Sequence, residues 1–230
     1  IPGSPAVFTT DNPFSPCHFV PYHGALGFAA WAGLRPMTEL EYEKACRGPL
    51  KPVAGEFPWG TPELAADCAY VLTDVNQETE SISWTGESGP DATRGNVVNP
   101  HTINKIDGPQ RVGIFATPQS DRALAGASYW GILDLAGGVS ERVVPVGDAV
   151  SRVFDGTHGE GGEPVWGNIS IGQRGGAFGN GQGHGAAWSS IHLFRVSDRA
   201  IILKERDSSN RGHCFEGMRC VRTSPLKIEN

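Results

Sequence analysis

Cysteine and histidine are the residues of this chain that could form disulfide bonds or bind a metal. Their positions in the sequence limit which of these roles they can take. An odd number of cysteines leaves at least one thiol unpaired, unless a bridge forms between chains. Cys214 and Cys220 are close in sequence, but spacing alone does not decide between a bridge and two free thiols. His18 and His23 do not share one helical face, so we interpret both as structural or solvated side chains. The five cysteines are Cys17, Cys46, Cys68, Cys214 and Cys220.

Two helices are predicted in the first fifty residues, at 21–33 and 38–47. Gly33 supplies the left-handed position that ends many helices. Thr38 and Glu41 have the spacing of a capping box, in which each side chain accepts a hydrogen bond from a backbone amide at the start of the helix. The sequence therefore places a tight turn between two short helices.

The amino-acid composition excludes some fold classes and some kinds of binding partner. The chain has 230 residues with 31 Gly, 17 Pro and 39% hydrophobic residues. Glycine and proline at this frequency exclude a helix bundle, yet the length is sufficient for one buried core. A net charge of −6 without a basic stripe argues against nucleic acid, and no apolar run is long enough to span a membrane. We expect an extended arm at 1–20 and one domain at 21–225, as the C-terminal part of a longer precursor.

Six sequence blocks carry a family resemblance. Their order along the chain is similar to that in the formylglycine-generating enzyme (sulfatase-modifying factor) family, which has W-A-G followed by R-L-P-T-E, then P-W-G, G-L-Y-D-M-A-G-N-V-W-E, R-G-G-S-W, R-x-x-x-R and G-F-R-C-x-R. The resemblance implies an irregular C-type-lectin-like α+β fold with two short helices, short antiparallel strands and many loops. The blocks are Trp31–Gly48, Phe57–Gly60, Gly131–Glu141, Arg174–Phe178, Arg195–Arg199 and Gly217–Arg222.

The same resemblance implies where a redox metal would be bound. The aerobic family enzyme holds copper with two cysteines between the R-G-G-S and R-x-x-x-R blocks, and thiolates are the soft ligands that copper(I) prefers. The interval Ala177–Phe194 contains no cysteine. A second branch makes carbon–sulfur bonds with iron that is held by an additional helical domain. We therefore expect no copper, no iron and no enzymatic activity. The alternative is a formylglycine-generating-type oxidoreductase with an altered metal site.

Calcium is the metal that the resemblance favours. Family members bind one calcium ion with an Asn side chain, the next carbonyl and a later Asp-Gly-x segment, which matches Asn96, Val97, Asp107 and Pro109. An ordinary solvated loop is the other interpretation of these residues. A second family site corresponds to the carbonyls of Gly137 and Val139 with the carboxylate of Glu141. Its Asn and Trp are replaced here by Gly138 and Ser140.

Two irregular intervals between the family-like blocks form a candidate binding surface. They are Ala177–Ser190 and Ala200–Phe215, and they mix aromatic, charged and amide groups that serve as binding anchors elsewhere. Loop filling is the other interpretation. The layout is also similar to that of bacterial surface proteins of this fold whose C-terminal stretch is hypervariable. The candidate ligand-binding residues are Trp188, His192, Ile201, Lys204, Arg206, Asn210 and His213.

These observations lead to one functional prediction and its alternatives. The chain is predicted to be a noncatalytic, calcium-stabilised binding or scaffold domain, secreted or at the cell surface. Its partner would be a protein or glycan at the C-terminal loops. A structural subunit that contacts its neighbours in an extracellular assembly is a further alternative.

Overall fold

The computed structural model describes residues 10–65, 70–85, 93–98, 108–167, 169–178, 190–202 and 215–223. Across these ranges two α-helices and seven short strands are joined by long connections, so the predicted α+β, loop-rich fold is confirmed. In chain order the elements are α1 (Tyr22–Trp31), β1 (Arg35–Pro36), α2 (Glu39–Arg47), β2 (Tyr70–Thr73), β3 (Ser81–Trp84), β4 (Ser140–Val143), β5 (Gly172–Arg174), β6 (Glu216–Gly217) and β7 (Cys220–Val221). Short 3-10 turns cover Ser151–Val153 and Ile191–Phe194.

Helix α1 buries one face and leaves the other in solvent. Leu26, Ala29 and Ala30 are buried, while Phe28 and Trp31 are exposed. The helix ends earlier than predicted, because the following amides turn back onto the carbonyls of its last turn. Gly33 adopts φ +65° in that turn, as the sequence predicted.

Helix α2 begins with the predicted capping box. The Glu41 amide donates to Thr38 Oγ1 at 3.2 Å, and the Thr38 amide donates to Glu41 Oε2 at 2.9 Å. Arg35 adds a forked ion pair to the same carboxylate, with Nη2 2.6 Å from Oε1 and Nη1 2.9 Å from Oε2. The start of α2 is therefore fixed to the strand that precedes it.

Three small sheets hold the described part of the chain together. β4 is the middle strand of one sheet, antiparallel to β5 and parallel to β6. β1 pairs antiparallel with β7, and β2 with β3. The parallel β4–β6 pair adds a mixed sheet to the predicted short antiparallel strands. The long connection after β4 lets β6 return in the same direction as its partner.

The core between α2 and the β4 sheet combines apolar packing with buried charge. Arg174 is fully buried, and its guanidinium lies 3.3 Å from a Glu39 carboxylate oxygen and 3.2 Å from one of Glu43. It also donates to the Val196 carbonyl. Buried charges of this kind require several partners at once, which the helix and the strand supply together. The apolar cluster between them contains Met37, Tyr42, Cys46, Leu135, Val143, Val196 and Ile202.

The remaining structural predictions have mixed outcomes. Residues 10–20, the described part of the predicted arm, contain no helix or strand. Cys17, Cys46 and Cys220 are free thiols, and burial raises the pKa of the Cys46 thiol well above its ordinary value. In the described ranges, no helix has the length and apolar character to cross a membrane. The domain boundary at 21–225 stays a prediction.

Candidate functional site

A cavity of about 260 Å³ opens beside the segment that joins the central turns to β4. Asp134 and Glu141 contribute two carboxylates to its wall, and Arg219 contributes a guanidinium. We call it the acidic cavity. Its lining residues are Pro16, Cys17, Val98, Gln110, Arg111, Val112, Asp134, Gly138, Val139, Ser140, Glu141, Gly217, Met218 and Arg219.

The backbone before β4 coils tightly enough to bring Asp134 to the cavity. Asp134 adopts φ +57°, and Gly137 and Gly138 adopt +71° and +61°. A Cβ at Gly137 would lie 2.2 Å from the Val98 carbonyl oxygen, so only glycine fits there. This turn aims the Asp134 side chain at the amide of Gly113, which donates to Oδ2 at 2.7 Å.

Burial perturbs both carboxyl groups of the cavity. It raises the pKa of Asp134, and the hydrogen bond from Gly113 and the charge of Arg219 offset this only in part. Burial also raises the pKa of Glu141 to about 7, against the lowering effect of Arg219, and the nearby Asp134 charge adds to the increase. The Asp134 carboxylate disfavours the ionised state of Glu141, whereas the charges of Arg219 and Arg111, which also line the cavity, favour that of Asp134.

Glu141 is held at one oxygen only. Its Oε1 accepts from Arg219 Nη2 at 3.2 Å, while its buried Oε2 has no hydrogen-bond partner among the described residues. Arg219 Nη2 also donates to the Leu133 carbonyl at 3.2 Å, which ties the C-terminal segment to the Asp134 turn. An unpaired buried carboxylate oxygen is costly, so the site is electrostatically incomplete without a cation or proton.

The acidic cavity adjoins the segment that carries Phe178. The Phe178 amide donates to the Gly138 carbonyl, and the His18 ring lies 6.2 Å from the Phe178 ring, edge to face. Cys17, next to His18, has an exposed thiol at the cavity. The arm, the Asp134 turn and the R-G-G-A-F block therefore meet at one place.

The predicted calcium ligands fall into two groups. In the first, Asn96 is buried and its amide donates to the Leu124 carbonyl at 2.9 Å. Val97 is buried beside it and Pro109 is partly buried, but Asp107 lies outside the described residues, so this site stays a prediction. In the second group, Val139 and Glu141 line the acidic cavity together with Asp134, whereas Gly137 lies against the Val98 carbonyl and is not part of the lining. This second site also stays a prediction.

Two of the predicted ligand-binding residues lie within the described ranges, and they differ in solvent exposure. His192 is exposed in the 3-10 turn at 191–194. Ile201 is 4% exposed and belongs to the core, so its prediction as a surface contact is wrong. Ile201 follows the R-x-x-x-R-like block directly, and its side chain packs into the core. The others lie outside the described residues: Trp188, Lys204, Arg206, Asn210 and His213.

Asp134, Arg219 and Cys17 were not predicted as site residues. Asp134 had a recognisable signal, since it precedes Glu141 within the same sequence block and stands among turn-forming glycines. Arg219 and Cys17 had none, because only the long-range folding of the two chain ends brings them to the cavity.

The chemistry of the acidic cavity suits a hard cation. Two carboxylates and nearby backbone carbonyls are the oxygen ligands that calcium takes. Glu141 Oε2 is an unsatisfied acceptor that such an ion would satisfy. The described ranges hold no group of three or more His, Cys, Asp and Glu side chains placed to bind a metal, so a cation here would depend on two carboxylates and on backbone carbonyls.

Comparisons with known proteins agree with the resemblance seen in the sequence. The model of the sulfatase-modifying factor enzyme 1-like domain matches residues 3–224. The formylglycine-generating enzyme of Thermomonospora curvata is 36% identical over 91 residues, which is 38% of this chain and 28% of that protein. The hercynine oxygenase of Mycolicibacterium smegmatis is 46% identical over 65 residues, 27% of this chain and 15% of that protein.

A hercynine oxygenase from Mycobacterium tuberculosis is similar over a shorter stretch, 47% identical over 49 residues, 21% of this chain and 12% of that protein. The matched segments thus span between 12% and 28% of these relatives' own lengths. The relatives are named as enzymes. This overturns the prediction that the chain is not an enzyme, which rested on the missing cysteine pair and on the additional domain that binds iron in the second branch. The predicted location and partners stay predictions.

Proposed function

Since the chain belongs to the sulfatase-modifying factor enzyme 1-like family, we propose that it is the family domain of an oxidising enzyme whose acidic cavity binds calcium. The names of the relatives describe the generation of formylglycine and the oxygenation of hercynine. The observation that carries the proposal is the half-buried Asp134 and the buried Glu141 in one cavity, with one unpaired oxygen on Glu141.

Calcium would be held by the carboxylates of Asp134 and Glu141 and by the carbonyls of Gly137 and Val139. Its charge would offset the repulsion between the two carboxylates, which otherwise raises the pKa of Glu141 together with burial. The ion would stabilise the turn whose Gly138 carbonyl accepts from the Phe178 amide. In this way the chain's own residues would fix the start of the interval Ala177–Phe194.

Copper bound by two thiolates does not fit this chain in the place where the family keeps it. Ala177–Phe194 contains no cysteine, and among the described thiols Cys46 is buried between α2 and β4. The oxygenase version of the proposal, in which the resemblance implies iron ligands from an additional helical domain rather than from that interval, is therefore favoured. The formylglycine-generating version with an altered metal site is the second candidate, supported by the Thermomonospora relative.

Thermal unfolding with and without calcium tests the metal site. Calcium at about 100 times its Kd stabilises a protein by about 2.7 kcal/mol, which is a rise in Tm of roughly 5–10 °C for a chain of this size. Glu141→Gln should abolish that rise, while Glu163→Gln, at an exposed loop position, should keep it. A melt of the wild-type protein that neither EDTA nor calcium changes would contradict the calcium proposal.

Oxygen uptake tests the enzymatic part. The purified full-length protein, with any further domain that supplies iron ligands, would be assayed with iron(II), hercynine and a thiol, and separately with copper and a C-x-P-x-R peptide, each against a metal-only blank. Uptake in the first mixture is expected from the oxygenase version. Uptake only in the second would favour the formylglycine-generating version. No uptake above the blank in either mixture would contradict both versions.

A further inference from the structure

Cys17 holds an exposed thiol in the wall of the acidic cavity. The arm that carries it is fixed on one side, where the Val112 amide donates to the Phe14 carbonyl at 2.9 Å. On the other side, the Cys17 carbonyl oxygen lies 3.2 Å from the position that a Cβ at Gly217 would take. Because no side chain fills that position, the arm packs directly on the backbone of β6, and the thiol keeps its place at the cavity.

The two contacts of the arm place Cys17 between two charged side chains of the cavity. Gly217 pairs in register with Glu141 across β4 and β6. Val112, on the opposite side, directly follows Arg111 in the chain. Glu141 and Arg111 both line the cavity together with Cys17. A group attached to the Cys17 sulfur would therefore lie within reach of a carboxylate and a guanidinium.

Both of these charged side chains have an atom without a partner among the described residues. The Glu141 side chain is 6% exposed, and its buried Oε2 accepts no hydrogen bond from them. Arg111 uses Nε for the Glu80 carbonyl, at 2.6 Å, and Nη1 for the Val112 carbonyl, at 3.3 Å, which leaves Nη2. An unpaired carboxylate oxygen needs a donor, and an unpaired guanidinium nitrogen needs an acceptor. The cavity is therefore complementary to a ligand that carries both an ammonium group and a carboxylate.

The other described thiols are less accessible than that of Cys17. Cys46 is fully buried between α2 and β4, and burial raises the pKa of its thiol well above the ordinary value. Cys220 is half-buried in β7, and burial raises the pKa of its thiol as well. Because the thiolate is the reactive form of cysteine, both of these thiols should react slowly. Among the described thiols, a reagent in solution therefore meets Cys17 first.

We propose that Cys17 is a modification site, which forms a mixed disulfide with a small thiol that carries an ammonium group and a carboxylate. The Cys17 thiolate attacks one sulfur of the symmetrical disulfide of that thiol, so a new sulfur–sulfur bond forms and the old one breaks. Cys17 is oxidised, and the other half leaves as a thiolate, which takes up the proton that Cys17 lost. In the product, the ammonium group donates to Glu141 and the carboxylate accepts from Arg111. The cavity volume of about 260 Å³ limits the added group to about the size of one amino acid.

Reaction with three symmetrical disulfides tests this proposal. Cystine carries both charged groups in each half, cystamine lacks the carboxylate, and dithiodipropionate lacks the ammonium group. The reduced protein is treated with each disulfide in EDTA, because calcium would compete for Glu141, and mass spectrometry of its peptides locates the adduct. The same reactions in urea, where the cavity is lost, give the intrinsic rate of each reagent. Relative to that rate, cystine should modify Cys17 at least about tenfold faster than either other disulfide, since each of those lacks one charge-assisted hydrogen bond.

Two variants assign the charged contacts. Arg111→Met should remove the advantage of cystine over cystamine, because the carboxylate loses its donor. Glu141→Gln should remove the advantage of cystine over dithiodipropionate, because the ammonium group loses its charged acceptor. Arg152→Met, at an exposed position outside the cavity lining, is the matched control and should keep both advantages. Each variant is first checked for an unaltered melt.

Three results would overturn the proposal. They are an equal relative rate for all three disulfides, an adduct that forms at another cysteine in preference to Cys17, and wild-type selectivity in both Arg111→Met and Glu141→Gln. The calcium proposal is tested apart from this one with Cys17→Ser, which keeps the proposed calcium ligands and lacks the thiol. Its melt with and without calcium shows whether the metal site exists, so either proposal can fail without the other.

Discussion

Tyr42 connects helix α2 with the turn that leads into the acidic cavity. Its side chain is fully buried, and its hydroxyl donates to the Leu135 carbonyl at 2.5 Å. The Arg174 guanidinium lies 5.1 Å from its ring centroid. Burial raises the pKa of Tyr42 well above its ordinary value, so the hydroxyl keeps its proton and stays a donor at neutral pH.

Tyr42→Phe should therefore lower the free energy of unfolding by about 1–2 kcal/mol, because the buried Leu135 carbonyl loses its partner. Urea denaturation followed by circular dichroism measures the change. Tyr129→Phe is the control, since the Tyr129 side chain is 40% exposed and its variant should stay within about 0.5 kcal/mol of the wild type. Equal stability of Tyr42→Phe and the wild type would show that this hydrogen bond contributes nothing net.

For individual residues, the sequence predicted contacts between residues that are close along the chain. It missed contacts between residues that are far apart along the chain. Thr38 and Glu41 were predicted as partners because the capping motif spans four positions. Asp134 was not predicted, because its partner Gly113 is 21 residues away and the contact depends on a left-handed turn. Ile201 was assigned to the surface because the sequence does not show which way an irregular segment faces.

Among the elements, α2 is the one whose electrostatics can be tested most directly. Burial alone would raise the pKa of Glu41, but hydrogen bonds from Arg35 and Thr38 outweigh it and lower the pKa below 4.5. A carboxyl group with a lowered folded-state pKa stabilises the fold above its unfolded-state pKa. That contribution is lost as the pH falls through the folded-state value.

Glu41→Gln should accordingly destabilise the protein at about pH 7 by roughly 0.5–1 kcal/mol, and by much less at about pH 3. The effect is modest because the Glu41 side chain is 39% exposed and solvent weakens the ion pair. Urea midpoints across this pH range, compared with those of Glu78→Gln at an exposed hairpin position, provide the measurement. A loss of the same size at both pH values would mean that charge is not responsible.

The β4 sheet shows the limit of sequence reasoning about elements. The Gly131–Glu141 block runs into β4, but the block does not indicate which strands pair with β4. Ser140 Oγ reaches the Phe215 carbonyl, 75 residues further along the chain, and no local pattern encodes such a pairing. The predicted fold class was right, whereas the parallel order within the sheet required the tertiary structure.

At the scale of the whole molecule, buried ion pairs connect elements that are distant in sequence. In many α+β proteins an extensive sheet makes these connections. Arg174 joins β5 to Glu39 and Glu43 of α2 and to the carbonyl of Val196. Arg142 and Glu216 form a second buried pair, across β4 and β6. Small sheets supply few hydrogen bonds between distant segments, so these charged groups position the elements.

Arg174→Met should reduce the free energy of unfolding by about 3–5 kcal/mol, because it leaves the Glu39 and Glu43 carboxylates with less compensation. Adding Glu39→Gln should restore part of the loss, since one buried charge is then removed. Arg152→Met, at an exposed position, is the control. Urea denaturation provides the measurement. Failure of the second substitution to restore stability would indicate that packing rather than charge dominates at Arg174.

The pairing of β1 with β7 has a consequence for how the protein is made. Arg35 pairs with Val221 and Pro36 with Cys220, so an early strand of the chain has its partner near the end. A ribosome releases β1 long before β7, and β4 likewise waits for β6. The nascent polypeptide would therefore carry β1 unpaired while the residues between Pro36 and Cys220 are synthesised, and chaperone contact during translation should concentrate on the segments around Pro36 and Ser140.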